Sequence, residues 1–142
     1  MMDLVFGEDR AIAEWVFARI PHASGTAGDG YAIGVHDGAA LVAGAVYSGF
    51  TEGNCEMSIA AVTPRWAQRG VIRALLHYPL VQCELRRVTA MVPHDAARTL
   101  RFLRGVGFKQ EGTLRDWFSP RVHGAVMSFM RRDFERLFAK RN

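Results

Sequence analysis

The chain has 142 residues, 49% hydrophobic and 23% charged, with a net charge of +4. This is an ordinary globular composition with enough apolar residues for one domain, expected over 1–142. No apolar run reaches the roughly 18 residues that span a bilayer, and the acidic start MMDLVFGEDR lacks the flank and core of a signal peptide. Cys55 and Cys83 form no CxxC pair, so they imply two free thiols rather than a zinc site or a disulfide framework. A cytoplasmic protein with no metal and no membrane partner is expected.

In chain order, Glu8 to Ile20 places Ile12, Trp15, Val16 and Ile20 at helical spacing, and Pro21 ends the helix. Pro21 to Gly30, PHASGTAGDG, is a loop. Tyr31 to Val35 and Ala40 to Tyr47 read as strands joined by a tight hairpin at His36-Asp37-Gly38. Asn54 to Val62 is a third strand, with Cys55, Met57, Ile59 and Ala61 on one face and Glu56, Ser58 and Ala60 on the other. Gly70 to Tyr78 is a helix that Pro79 ends or kinks. Arg87 to Val92 is a strand. Asp95 to Val106 is a helix with Asp95 as N-cap and Gly105 or Gly107 as its stop. Phe108 to Phe118 and Val122 to Met130 are closing strands around the turn Ser119-Pro120-Arg121. Met130 to Asn142 carries five basic side chains against two acidic ones. Their mixing reads as a solvated terminal helix, with nucleic-acid binding the lesser reading.

The order predicts an α/β or α+β domain with a mixed sheet, mostly antiparallel, containing one parallel strand–helix–strand crossover from Asn54 to Val92. The loop between that strand and its helix is Pro64-Arg65-Trp66-Ala67-Gln68-Arg69-Gly70. A helix N-terminus aims unpaired N–H groups and the positive end of its dipole outward, which suits an anion. Gly70 allows close approach to the backbone, and Arg65, Arg69 and Arg73 add charge. A phosphorylated small molecule is the ligand this predicts. A plain basic surface cluster is the alternative.

Two segments resemble the GNAT superfamily of acetyl-CoA-dependent N-acetyltransferases, the likeness running from about Ile33 to Met130. Arg65 to Ala74, RWAQRGVIRA, is similar to the family's pyrophosphate loop, with Ala67 and Ile72 at positions where the family carries Gln/Arg and Gly/Ala. Leu100 to Arg115, LRFLRGVGFKQEGTLR, looks like its last helix and the Gly-Phe strand start, followed by the Glu-Gly-x-x-Arg of ribosomal-protein-type and phage-encoded members. The family's helix-opening asparagine falls on Ala96 and its acidic tyrosine on Leu103.

The resemblance implies a GNAT-like sheet with helices on both faces and acetyl-CoA lying in a splay between the Asn54 and Arg87 strands. Backbone groups of Ile59, Ala60, Ala61 and Val62 would meet the pantetheine. Those of Gln68, Arg69, Gly70, Val71, Ile72 and Arg73 would hold the pyrophosphate. Arg98 and Arg101 are in reach of the 3′-phosphate or adenine. An amine would attack the thioester directly, polarised by an N–H near Ile59 or Ala60.

A protonated amine needs a base, and Glu56 on the third strand is the candidate, with Glu52 second and a solvated strand carboxylate the plain alternative. With Leu103 in the tyrosine position, Tyr78, His94 or Ser58 is left to serve as acid. Cys83 lacks the neighbours that activate a nucleophile. The acceptor is a small amine or a peptide or protein N-terminus, in a groove lined by Pro21 to Gly30 and Ser119 to Gly124. A homodimer through the closing strands fits the same fold. A CoA-binding module with weakened catalysis is the second reading.

Overall fold

The computed structural model describes residues 1–21 and 30–138. The interior of the loop expected over 21–30 and the last residues of the basic C-terminal segment lie outside the described residues. Among the described residues, seven strands form one sheet in the order β1-β2-β3-β4-β5-β7-β6. They are β1 Met2–Val5, β2 Tyr31–Asp37, β3 Ala40–Ser48, β4 Asn54–Ala61, β5 Arg87–Pro93, β6 Lys109–Ser119 and β7 Val122–Met130. The helices are α1 Asp9–Phe17, α2 Arg69–His77, α3 Ala97–Val106 and α4 Arg131–Phe138. Of the described strand pairs, only β4–β5 is parallel. The mixed, mostly antiparallel sheet and its single parallel crossover are as expected, and helices cover both faces.

β1 has four residues, too few to show a period of two, and its pairing with β2 (Met2 opposite Asp37, Val5 opposite Gly34) places it at the sheet edge. The β2–β3 hairpin turns one residue later than expected: Asp37 pairs with Ala40, and Gly38, at φ +64°, opens a two-residue loop. The α1 helix seats on the Gly34–Gly44 cross-strand pair. A Cβ on Gly44 would stand 2.8 Å from Val16 Cγ2 and 3.0 Å from Ile12 Cγ2. Ile12, Ala13 and Val16 make a small core there with Ala32, Val46 and Ala60. The opposite face carries the main core, where Tyr47, Cys55 and Met57 meet α2, α3 and α4.

The α-helix ends at His77, just before Pro79, as the proline predicts, but the chain goes on winding. The helix runs into a wide turn over Tyr78–Gln82, closed by Cys83 N–H to Tyr78 O at 3.0 Å. Proline has no N–H for the carbonyl four residues earlier, Leu75 O. The buried Tyr47 hydroxyl donates to that carbonyl at 2.5 Å and fills the gap.

At α3, Asp95 does not cap through its side chain. Ala96 is the N-cap, and Ala97 N–H bonds the Asp95 main-chain carbonyl at 2.9 Å. The stop of α3 is Gly107, at φ +126°, with the Gly107 and Phe108 N–H groups both on Leu103 O. The expected solvated terminal helix is instead docked. Phe134 and Phe138 of α4 are buried and stack at 5.4 Å, and Phe138 reaches Phe129 of β7 at 6.3 Å.

Candidate functional site

The parallel β4–β5 ladder holds only three registered pairs, Asn54–Arg87, Cys55–Val88 and Glu56–Thr89. Beyond Glu56 the strands part, while β4 stays paired with β3 through Ala61. The edge of β4 from Met57 onward therefore faces an opening rather than a neighbour strand. The closed end is pinned by side chains: Thr89 Oγ1 donates to Asn54 Oδ1 at 2.7 Å, and Arg87 Nη2 donates to Thr89 Oγ1 at 3.1 Å. Arg87 also grips the Glu111 carboxylate with both Nη atoms, one bond being 3.2 Å. The Arg87 guanidinium holds the Glu111 carboxyl below the usual carboxylate range. Met57, Ile59, Trp66, Phe102, Leu103 and Phe108 pack closely between β4, α2 and α3, around a cavity of only about 10 Å³.

At the carboxyl end of β4, Thr63 accepts the Arg65 N–H at 3.3 Å and starts a short 3-10 turn over Pro64–Trp66. Trp66 is buried against Phe102 of α3, 5.5 Å between ring centres. The Gln68 N–H is taken by Trp66 O at 2.8 Å and the Ile72 N–H by Gln68 O at 3.0 Å. That leaves the N–H groups of Arg69, Gly70 and Val71, which have no intrahelical acceptor, pointing out of α2. A Cβ placed on Gly70 would meet nothing within 4 Å, and its φ is ordinary, so neither packing nor conformation within the protein calls for glycine.

The expected crowd of arginines is not at this helix end. The Arg69 guanidinium donates to Leu137 O and lies 4.7 Å from the Phe138 ring centre. Arg73 Nε donates to Phe138 O at 3.3 Å and lies 5.7 Å from the Phe134 ring centre. Both are drawn to the carbonyl end of α4, where a helix attracts cations. Arg65 is exposed. Arg98 is exposed one turn before Phe102 on α3, on the face that touches the Trp66 turn. Among the strand residues, Val62 N–H is already bonded to Val42 O at 2.9 Å, so any contact it makes falls to its carbonyl.

The alternation of β4 is as expected. Cys55 and Met57 enter the main core, with Ile59 packed against it, and Ala60 enters the α1 core. Glu56 and Ser58 thus face the α1 side, next to the point where β4 and β5 part; Glu56 is exposed and Ser58 half-buried. His94 is exposed at the far end of β5. Tyr78 packs on Tyr47 at 5.0 Å, and burial, with its hydrogen bond to Cys83, pushes its hydroxyl up. Burial, then the charges of Cys83 and Glu56, pushes the Cys55 thiol up to about 12. Cys55 is therefore not a ready nucleophile.

Four residues escape sequence reasoning. Thr89 and Asn54 pin the splay, His123 reaches His94 across the β5–β7 pair, and Asp116 of β6 donates its N–H to His123 Nδ1. They bear no local motif; only strand pairing brings them together.

Solved structures share this architecture. The spermidine/spermine N-acetyltransferase SpeG from Vibrio cholerae superposes with a TM-score of 0.70 over 95% of each chain, at 13% identity. The fold is that of the GNAT acetyltransferases. A second SpeG structure, in complex with CoA and spermine, gives a TM-score of 0.70 over 94% of this chain and 97% of that one, at 13% identity. The ribosomal-protein-S5-alanine acetyltransferase from Vibrio fischeri gives 0.61 at 14% identity, covering 74% of this chain and 63% of that one. By sequence alone, no family model and no curated protein matches the chain. No described helix is long and apolar enough to cross a membrane, and no described cluster of side chains suits a metal ion.

Proposed function

We propose that the protein is an N-acetyltransferase that moves the acetyl group of acetyl-CoA to an amine. The observation that carries this is the opening of the β4–β5 ladder after Glu56 and Thr89, with the unpaired N–H groups of Arg69, Gly70 and Val71 at its outer end. A ligand that fits both has an extended amide-bearing arm and a pyrophosphate, as CoA does. The arm completes the open edge of β4 through backbone groups of Ile59, Ala60 and Ala61. The pyrophosphate takes the three N–H groups. Arg98, exposed on α3, takes the 3′-phosphate.

Glu56 stands beside the parting of the strands on the α1 side, opposite the face that carries α2 and α3. It takes the proton of the attacking amine, directly or through water. The acceptor enters from the α1 side, so amine and thioester meet through the sheet. Acceptors with the chemistry of polyamines and of peptide N-termini are the two classes to screen, since the similar structures include enzymes named for each.

A CoA-binding module with weakened catalysis is favoured by one observation: Leu103, at the position of the family's tyrosine, is 4% exposed and supplies no hydroxyl. Calorimetric titration of ligand-stripped protein with acetyl-CoA and dephospho-CoA tests the binding common to both readings. Micromolar binding of acetyl-CoA is expected, weaker for dephospho-CoA if Arg98 holds the 3′-phosphate. No binding of either overturns both readings. Thiol release in an amine screen then separates enzyme from module.

A further inference from the structure

The face of the sheet that carries Glu56 is only half covered. Among the described residues, α1 packs on β2, β3 and β4, while α2, α3 and α4 lie on the opposite face with the main core. The Glu56 side of β5, β7 and β6 is left open. Ala90 and Val92 enter the main core, so Thr89 and Met91 point to the open face. Thr89 pairs with Glu56, and Met91 lies two residues, roughly 7 Å, further along β5, on the bank of the opening.

Gly124 of β7 is the low point of this face. A Cβ there would stand 2.8 Å from Met91 Cε and 3.0 Å from both Cβ and Cγ of Trp117, so the two side chains close over the bare glycine. Leu114 pairs with Gly124, and Val126 with Met91, on the same face. Trp117 is 53% exposed and Leu114 42%, which leaves an apolar platform in water.

The backbone is bent to place that tryptophan. Leu114 faces the open side, and a period of two would send Trp117, three residues on, to the other face. Instead β6 and β7 lose register between Leu114 and Ser119, and Asp116 takes φ +53° without being glycine. The Asp116 N–H donates to His123 Nδ1 at 2.9 Å, and its carboxylate accepts the N–H of Arg121, itself at φ +67°, at 2.9 Å. Costly backbone of this kind persists where the surroundings enforce it, and it concentrates at functional sites. Its effect here is to bring an exposed aromatic ring to the side where Glu56 stands.

Resting on the acetyl-CoA reading above, we propose that Trp117, Met91 and Leu114 form the acceptor subsite, and that it takes amines carrying an apolar, ring-sized group a few atoms from the nitrogen. With the amine at Glu56, that group lies along β5 against Met91 and Trp117. A polyamine needs carboxylates for its further charges. Those flanking the platform are engaged, Glu111 by both Nη atoms of Arg87 and Asp116 by the Arg121 N–H. Trp117 sets the specificity, and Gly124 keeps the floor beneath it clear.

Acetylation of phenethylamine, ethylamine and spermidine is compared in the wild type, Trp117→Ala and Trp117→Phe. The wild type should favour phenethylamine in kcat/KM by about tenfold or more. Trp117→Ala should shrink that preference about tenfold, through KM for phenethylamine and with acetyl-CoA affinity as in the wild type; Trp117→Phe should keep most of it. The same contrast is read between tripeptides beginning with Phe and with Gly, and a Trp117-dependent preference in either pair supports the subsite. Equal rates within both pairs, a preference for spermidine, or a preference that survives Trp117→Ala overturns it. The indole N–H signals are also followed by NMR, with and without CoA. The signal that Trp117→Phe removes should move with phenethylamine and not with spermidine. A Trp117 signal that phenethylamine leaves unmoved overturns the subsite. If CoA does not bind, the acetyl-CoA reading falls, and this signal alone decides whether the platform takes apolar amines.

Discussion

Replacing Gly70 should change stability and ligand affinity in opposite directions. Gly70 is the second residue of α2, in ordinary helical conformation, and a Cβ there meets nothing within 4 Å. Gly70→Ala should therefore stabilise the free domain by about 0.5–1 kcal/mol, because glycine loses more backbone entropy in a helix. For a domain of this size that raises Tm by roughly 2–4 °C. The same methyl group occupies the approach to the N–H trio. Losing one charge-assisted bond to phosphate costs about 1.5–3 kcal/mol, or roughly 10- to 150-fold in Kd.

Gly70→Glu sharpens the test. A carboxylate in the first turn favours the helix by about 0.3–1 kcal/mol; no acidic residue occupies that turn now. Near a pyrophosphate it repels at about 4 kcal/mol per charge pair at 4 Å and an effective dielectric of 20, which is roughly a thousandfold or more. Thermal melts and acetyl-CoA titration of both variants form the assay. Wild-type affinity in Gly70→Glu would refute the phosphate site. A fall in Tm for Gly70→Ala would refute the claim that no packing requires the glycine.

Glu56→Gln should lower kcat by roughly 10²- to 10⁴-fold, remove the acid limb of the pH–rate profile, and leave acetyl-CoA affinity unchanged; an intact acid limb would exclude Glu56 as the base. The Glu111 carboxyl is held below its ordinary pKa by Arg87, so the pair stabilises the fold above the unfolded pKa and loses that effect as pH falls through the folded one. Being a surface pair it contributes under about 1 kcal/mol, and urea melts of Glu111→Gln should match the wild type in strong acid and fall below it near neutrality. With its thiol pushed up to about 12 and fully buried, Cys55 should resist alkylation at pH 8 in the folded state, whereas half-buried Cys83 reacts first. Rapid labelling of Cys55 without denaturant would show that the main core opens there.

Much of the fold is legible in local pattern. The alternation along β4 assigns its two faces because one residue set has to be apolar, and Cys55 and Met57 do enter the core. Gly107 is legible as a stop because a left-handed residue ends a helix. β1 is not, since four residues on a sheet edge carry no period. Nor is the path of the chain through Pro79. A proline in a helical pattern reads as a stop, but here the orphaned Leu75 carbonyl finds the Tyr47 hydroxyl, a residue 28 positions away. α4 departs from its expected solvated state for a similar reason: its basic residues suggest solvent, while Phe134 and Phe138 settle into a core built by distant strands.

The site divides along the same line. The loop chemistry of Gln68 to Val71 is local, so a helix opening on glycine is visible as an anion site. What the arginines do is not local. Arg69 and Arg73 leave the first turns of α2 for the carbonyl end of α4, which offers two acceptors and two aromatic faces. The consequence is a division of labour within a few residues of chain. The backbone keeps an N–H trio free at the helix start, the groups proposed to meet pyrophosphate, and the side chains of the same helix tie the C-terminal helix to the core. Charge at the proposed phosphate site would then come from the helix dipole and from the exposed Arg65 and Arg98. On the proposed reading, specificity for a nucleotide-linked thioester rests on shape, in the spacing between the open edge of β4 and the start of α2, more than on a basic cluster.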